Sequence, residues 1–188
     1  MAVLVTGEKL EILITEAEIA SRINTLSEQI SKAYEQTDQL VVIGLLRGSF
    51  VFIADLVRCL DLPVEVDFMT VSSYGNKMKS SGQLRIIKDV ETDLKNRDVL
   101  IIEDIIDTGH TLSQVVSLLE TRKPKTLRIC TLLNKPSRRE VKVDVDWVGF
   151  DIPDEFVIGY GIDYAQQGRN LQHIAIVKKS NLKNKAKF

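Results

Sequence analysis

Glu103, Asp104 and Asp107 fall in the stretch "VLIIEDIIDTGHTL", residues 99 to 112, after four aliphatic residues and before a Thr-Gly-His-Thr segment. A carboxylate at the end of an apolar run is costly unless it faces a cation or a hydrogen-bond donor. The residues that follow offer the opposite chemistry. If a strand gives way to a helix at Asp107-Thr108-Gly109-His110-Thr111, the main-chain N–H groups and both Thr hydroxyls converge on an anion at the positive end of the helix dipole. Gly109 lets the main chain approach that anion closely. Acids beside an anion cradle would repel the anion, so they need another partner: the vicinal hydroxyls of a sugar, or a divalent cation. A phosphorylated sugar with a metal satisfies both. Plainer roles exist, with Glu103 and Asp104 as polar residues at a strand end and Asp107 as a helix N-cap. They account for Asp107 alone but not for the whole run.

Several elements must position these groups. "LEILIT" reads as a short strand, and Thr15 with Glu18 forms a capping box before a helix whose apolar positions are Ile19, Ile23, Leu26 and Ile30, ending near Glu35. "LVVIGLL" predicts a strand buried on both faces, and "SFVFIADLVRCL" the helix packed on it, stopped before Pro63. "VEVDFMTVSSY" and "LRIIKDV" are extended segments around the polar "GNKMKSSGQ", which makes a long hairpin or lid. Val99 to Ile102 suits a central parallel strand, and Leu112, Val115, Val116 and Leu119 give the apolar face of the next helix. "TLRICTLLNK" is one more strand, "VDWVGFDIPDEFVIGYGIDY" alternates short strands with turns, and "KKSNLKNKAKF" is a solvated tail. Strands alternating with helices predict an α/β fold with a mostly parallel central sheet flanked by helices. Ligands of such sheets bind beyond the carboxyl ends of the strands, where the three acids fall.

The totals limit the partners. At 188 residues with 44% hydrophobic content, the chain is long enough for one compact domain with a sizeable core. Lys and Arg number 25 against 26 Asp and Glu, so no global basic field favours nucleic acid or an anionic membrane. No leader pattern opens the sequence and no apolar run is long enough to span a bilayer, which makes a cytoplasmic protein the expectation. Cys59 and Cys130 lie in apolar patterns without CxxC spacing and are expected to be buried free thiols, and His110 and His173 make no ligand pair.

The Glu-Asp-Ile-Ile-Asp-Thr-Gly-His-Thr run resembles the phosphoribosyl pyrophosphate signature of the type I phosphoribosyltransferases, in the form found in the hypoxanthine(-guanine) branch. The likeness extends from the first strand to Leu171. It implies the type I fold with a small hood subdomain: a single domain over 1–188, its core about 16–135, its hood from about 1–15 and 136–178, and a basic tail at 179–188. It implies that Glu103 and Asp104 hold the ribose hydroxyls, that Asp107, Thr108, Gly109, His110 and Thr111 bind the 5′-phosphate, and that Asp107 also faces N7 of the purine as general acid or base. "LLRGSF" resembles the loop with a non-proline cis peptide, expected at Arg47-Gly48, that meets pyrophosphate together with Arg169. Lys135 corresponds to the donor to the oxygen at purine C6, Phe156 to the aromatic stacked on the base, and Val157 to its backbone contact. Asp163 matches the residue near the base edge and a second metal, so that Glu103, Asp104 and Asp163 form the implied Mg²⁺ set. Ser73 and Tyr74 match the catalytic lid.

The activity implied is transfer of phosphoribosyl from its pyrophosphate to hypoxanthine, and to guanine, in purine salvage by a cytoplasmic homo-oligomer, a dimer or tetramer, with no nucleic acid or membrane partner. Two alternatives are a xanthine-guanine-preferring relative and a non-catalytic sensor of phosphoribosyl pyrophosphate. The Glu-Asp pair, in place of two Asp, favours the hypoxanthine type over the first. Asp107, Lys135, Phe156 and the Ser73-Tyr74 pair together speak against the second.

Overall fold

Aliphatic runs such as "LVVIGLL" and "VLII" suit strands buried on both faces, and here they lie side by side at the middle of one sheet. The computed structural model of the chain describes residues 10–73 and 84–177. The central sheet has the order β4(Leu84–Lys88), β3(Val64–Ser73), β2(Leu40–Leu46), β5(Asp98–Ile106), β6(Thr126–Asn134), β7(Trp147–Asp151). All neighbours are parallel except β4, an antiparallel edge strand on β3. Helix α1(Glu16–Ala33) opens with the capping box, Thr15 accepting from the Glu18 N–H while the Glu18 carboxylate accepts from Thr15. α2(Phe50–Cys59) packs beside α1, and α3(His110–Glu120) covers the other face.

Side-chain alternation along the strands divides the core between the two faces. Leu40 and Val42 of β2 and Leu100 and Ile102 of β5 join Ile23, Leu26, Phe52 and Leu56 under α1 and α2. Val41, Ile43, Val99 and Ile101 instead meet Leu112, Val115 and Leu119 of α3. A separate antiparallel sheet, β1(Glu11–Ile14), β9(Ile174–Ile176) and β8(Val157–Ile158), brings the two ends of the described chain together as a hood. Arg22 of α1 ties the core to β7 by donating to the carbonyls of Val148 (2.6 Å) and Gly149 (2.9 Å).

Several details differ from the sequence reading. β5 does not stop at Ile102 but runs to Ile106, because its pairing with β6 continues to Ile106↔Asn134 after its pairing with β2 has ended at Gly44↔Ile102. β7 lies after residue 136, where the hood was expected to begin, yet its Trp147↔Cys130 to Asp151↔Asn134 register makes it the outer strand of the central sheet. Cys130 is buried as expected, but Cys59 is exposed: as the last residue of α2 it reaches a cavity rather than the sheet. The non-proline cis bond joins Leu46 to Arg47, one peptide earlier than expected. Gly48 has another reason to be glycine, since a Cβ there would lie 1.5 Å from the Asp104 carboxylate. Ser73 ends β3; Tyr74, the rest of the lid and the tail at 179–188 lie outside the described residues. Among the described residues, no helix is long and apolar enough to cross a membrane.

Candidate active site

The strand order reverses direction between β2 and β5, and at such a switch point the loops leaving the two carboxyl ends diverge and open a crevice. The loop after β2 carries Arg47 and Gly48; the loop after β5 carries Asp107, Thr108 and Gly109. Glu103 and Asp104 come just past the last residue pair shared by the two strands, so they are anchored to β6 on one side and open to the crevice on the other. Glu103, Asp107, Thr108, Gly109 and Thr111 line one cavity of about 190 Å³.

Gly109 is the N-cap of α3 and holds φ +89, a left-handed conformation that glycine adopts without strain. Asp107 therefore is not the cap. Arg138 Nε donates to its carboxylate over 3.1 Å, and Arg139 Nη1 donates to its main-chain carbonyl over 2.9 Å. The Thr108 carbonyl accepts from the N–H groups of Glu140 (3.0 Å) and Val141 (3.1 Å). The N–H groups of Thr108, Gly109, His110 and Thr111 donate to no acceptor among the described residues. Four such donors at the start of a helix can cradle an anion. His110 points elsewhere and pairs with Glu140 at 2.8 Å, so only its main chain belongs to the cradle.

Burial pushes the Glu103 carboxyl well above the usual carboxylate range, and Asp104 beside it adds to the rise. Burial raises Asp104 as well, although a hydrogen bond with Glu103 and the positive charge of Arg169 work against the rise. Two adjacent acids that resist ionising together are suited to receive hydroxyl donors or a cation. Arg169 stands over this corner, donating through Nη1 to the Gly161 carbonyl (2.8 Å) and forming an ion pair with Asp163, Nη2 lying 2.7 Å from its carboxylate. Asp163 also accepts from the Gln166 N–H at 2.7 Å and is not gathered with the acid pair. Among the described residues, no three His, Cys, Asp or Glu side chains converge as a ready-made metal site.

On the other side of the crevice Lys135 directly follows β6 and is 7% exposed, and its N–H donates to the Ile106 carbonyl at the end of β5. Its ammonium meets no acceptor among the described residues. Phe156 is 38% exposed and stands edge-on to Tyr164, with ring centroids 5.4 Å apart; Val157 is buried in the hood sheet. Arg47 is exposed at the lip. A larger, mostly apolar cavity of about 580 Å³ lies between α1, α2 and residues 160–172. It shares only Arg169 with the groups described above, and it holds neither the acid pair nor the free amides.

Arg138 and Arg139, in "PSRREV", were not marked by the sequence. The signal that could have found them is their place just beyond Lys135-Pro136-Ser137, where the chain turns back over the end of β5.

A parallel sheet with an anion cradle and an acid pair at its switch point defines a nucleotide- or sugar-phosphate-handling protein. Residues 11–165 match the phosphoribosyl transferase domain family, and the chain belongs to that family. It is 59% identical over 169 residues to the hypoxanthine phosphoribosyltransferase of Haemophilus influenzae, covering 89% of this chain and 94% of that one. It is 44% identical over 174 residues to the hypoxanthine-guanine phosphoribosyltransferase of Aquifex aeolicus, covering 93% and 98%. The fold superposes on the crystal structure of a hypoxanthine-guanine phosphoribosyltransferase from Bacillus anthracis with a TM-score of 0.86 at 43% identity, over 91% of this chain and 100% of that chain. On the Trypanosoma cruzi hypoxanthine phosphoribosyltransferase in complex with its product IMP, the TM-score is 0.85 at 40% identity, over 90% and 95%.

Proposed function

We propose that this chain is a purine-salvage transferase that joins hypoxanthine, and guanine as well, to the phosphoribosyl group of phosphoribosyl pyrophosphate, forming IMP or GMP and pyrophosphate. The observation that carries this reading is the juxtaposition at the ends of β5 and β6 of four free amide donors, the Glu103-Asp104 pair and the unpartnered Lys135 ammonium. The three features suit the three parts of the product: a phosphate, a ribose diol and a 6-oxopurine.

In this reading Thr108 to Thr111 bind the 5′-phosphate, and Glu103 and Asp104 accept from the ribose hydroxyls. Lys135 donates to the oxygen at C6, Phe156 stacks on the base and the main chain at Val157 meets its edge. An amino group at C6, as in adenine, would set two donors against each other. Asp107 takes or gives the N7 proton while the anomeric C–O bond breaks with oxocarbenium character. Arg169 and the main chain at Arg47-Gly48 face the departing pyrophosphate, and Ser73 with Tyr74 closes over it to exclude water.

The acid pair fits a divalent cation, because positive charge there relieves both the burial and the mutual repulsion that hold the two carboxyls above their usual range. Glu103 and Asp104 would hold Mg²⁺, with Asp163 approaching from the 161–169 segment, and when bound the ion neutralises charge on the diphosphate. The family resemblance supports a homo-oligomer, a dimer or tetramer, working in the cytoplasm. The reading is tested by assaying nucleotide formation from hypoxanthine, guanine, xanthine and adenine with phosphoribosyl pyrophosphate and Mg²⁺. Turnover of hypoxanthine and guanine is expected; no turnover of any 6-oxopurine would overturn it.

A further inference from the structure

The phosphate cradle is gripped from behind. A planar trans peptide carries its C=O and N–H on opposite sides. The carbonyls of Asp107 and Thr108 are both held by the segment Arg139–Val141, the first by Arg139 Nη1 at 2.9 Å and the second by the N–H groups of Glu140 and Val141. With those carbonyls turned toward this strap, the N–H groups of Thr108 and Gly109, which share their peptide planes, are turned away from it. The strap sits so close that a Cβ on Gly109 would lie 2.7 Å from the Val141 carbonyl and 3.2 Å from Arg139 Cδ. The second arm of the same guanidinium, Arg139 Nη2, donates to the side-chain oxygen of Asn134, which adjoins Lys135. Burial pulls Arg139 below the usual guanidinium range, as expected of a group taken out of water.

We infer that Arg139 is a positioning residue for the transfer reaction, a bridge that fixes the main chain under Asp107 against the end of β6 beside Lys135. This inference rests on the function proposed above. The two groups that read the purine, Asp107 at its ring nitrogen and Lys135 at its exocyclic oxygen, sit on separate strand ends. A single planar fork spans those ends and sets their separation. Lysine has one point charge and cannot serve both acceptors in that geometry.

The test is a set of three variants of the full chain, Arg139→Met, Arg139→Lys and Lys135→Met, with the double variant Arg139→Met/Lys135→Met, measured for kcat and KM on hypoxanthine and on guanine. Arg139→Met is expected to lower kcat/KM for hypoxanthine by roughly 10- to 100-fold, and Arg139→Lys by roughly tenfold. The double variant should be only a few-fold worse than Lys135→Met, because the separation of Asp107 from Lys135 that the bridge sets no longer matters once the ammonium is gone. A purely structural residue would instead give losses that multiply. The inference is overturned if Arg139→Met stays within about threefold of the parent, or if the two losses multiply fully. Should Arg139→Met fail to fold, as judged by circular dichroism, Arg139→Lys decides: parent-like kinetics overturn the bridge, and a roughly tenfold loss with unchanged melting supports it. An unsubstituted chain that transfers phosphoribosyl to no 6-oxopurine contradicts the functional reading instead, a result separate from any variant's behaviour.

Discussion

Asp107 is the residue whose chemistry most depends on its surroundings. Its carboxylate is half-exposed, faces the crevice and is engaged by Arg138 rather than spent on capping α3. If it handles the N7 proton, Asp107→Asn keeps the shape and loses the proton. Turnover should fall by roughly two to four decades while the affinity for IMP changes far less, measured by steady-state kinetics alongside calorimetric binding. Near-parental turnover would leave Asp107 as no more than a partner of Arg138. At this scale the sequence was informative where chemistry is local: the acids, the two Thr and Gly109 lie within nine residues and announced their own turn. It was silent on Arg138 and Arg139, whose contacts with Asp107 span 31 and 32 residues, since nothing in a charged run says which acceptor it will meet.

Among the elements, β5 does most of the positioning, and it is anchored at both ends. At its start the buried Asp98 accepts from Lys125 Nζ (2.8 Å), Thr126 Oγ1 (2.8 Å) and Thr37 Oγ1 (3.0 Å), fastening β5 to the beginning of β6 and to the turn after α1. Burial alone would raise this carboxyl, but the three donors outweigh it and hold Asp98 below its usual value. Asp98→Asn should cost about 1.5–3 kcal/mol of unfolding free energy at neutral pH, the usual range for hydrogen bonds to a charged group. The sign of the pH dependence follows. A depressed carboxyl stabilises the fold above the ordinary carboxylate pKa of about 3.9 and loses that contribution as pH falls through its folded value. The gap between parent and variant in urea melts should therefore be full at pH 7 and shrink below about pH 4; a constant gap would mean that the charge is not what matters. The strands themselves were legible as aliphatic runs. The true length of β5 was not, because Glu103 and Asp104 look like a strand end although pairing with β6 continues through Glu103, Ile105 and Ile106.

For the whole molecule, the crevice lies between the central sheet and a hood whose sheet joins Glu11 to Ile176. That pairing was invisible in the sequence, where two short apolar segments so far apart carry no mark of each other; only the family resemblance implied a hood at all. The parallel core was legible because its alternation of strands and helices admits few arrangements. A ligand that touches the loops after β2, β5 and β6 as well as the hood binds only the folded assembly. IMP at one hundred times its dissociation constant should then raise the melting temperature by roughly 5–10 °C, from about 2.7 kcal/mol of linkage. AMP at the same concentration should do much less, and equal shifts would contradict the role given to Lys135.

Which base receives the sugar is measured directly by a competition. Hypoxanthine and adenine at equal concentration are mixed with limiting phosphoribosyl pyrophosphate, Mg²⁺ and the protein, and IMP, AMP and pyrophosphate are quantified together. One pyrophosphate per IMP is expected, with an AMP yield lower by several decades, the discrimination that follows when a buried donor is left facing another donor. Comparable yields of AMP and IMP, or IMP formed without pyrophosphate, would contradict the proposed function.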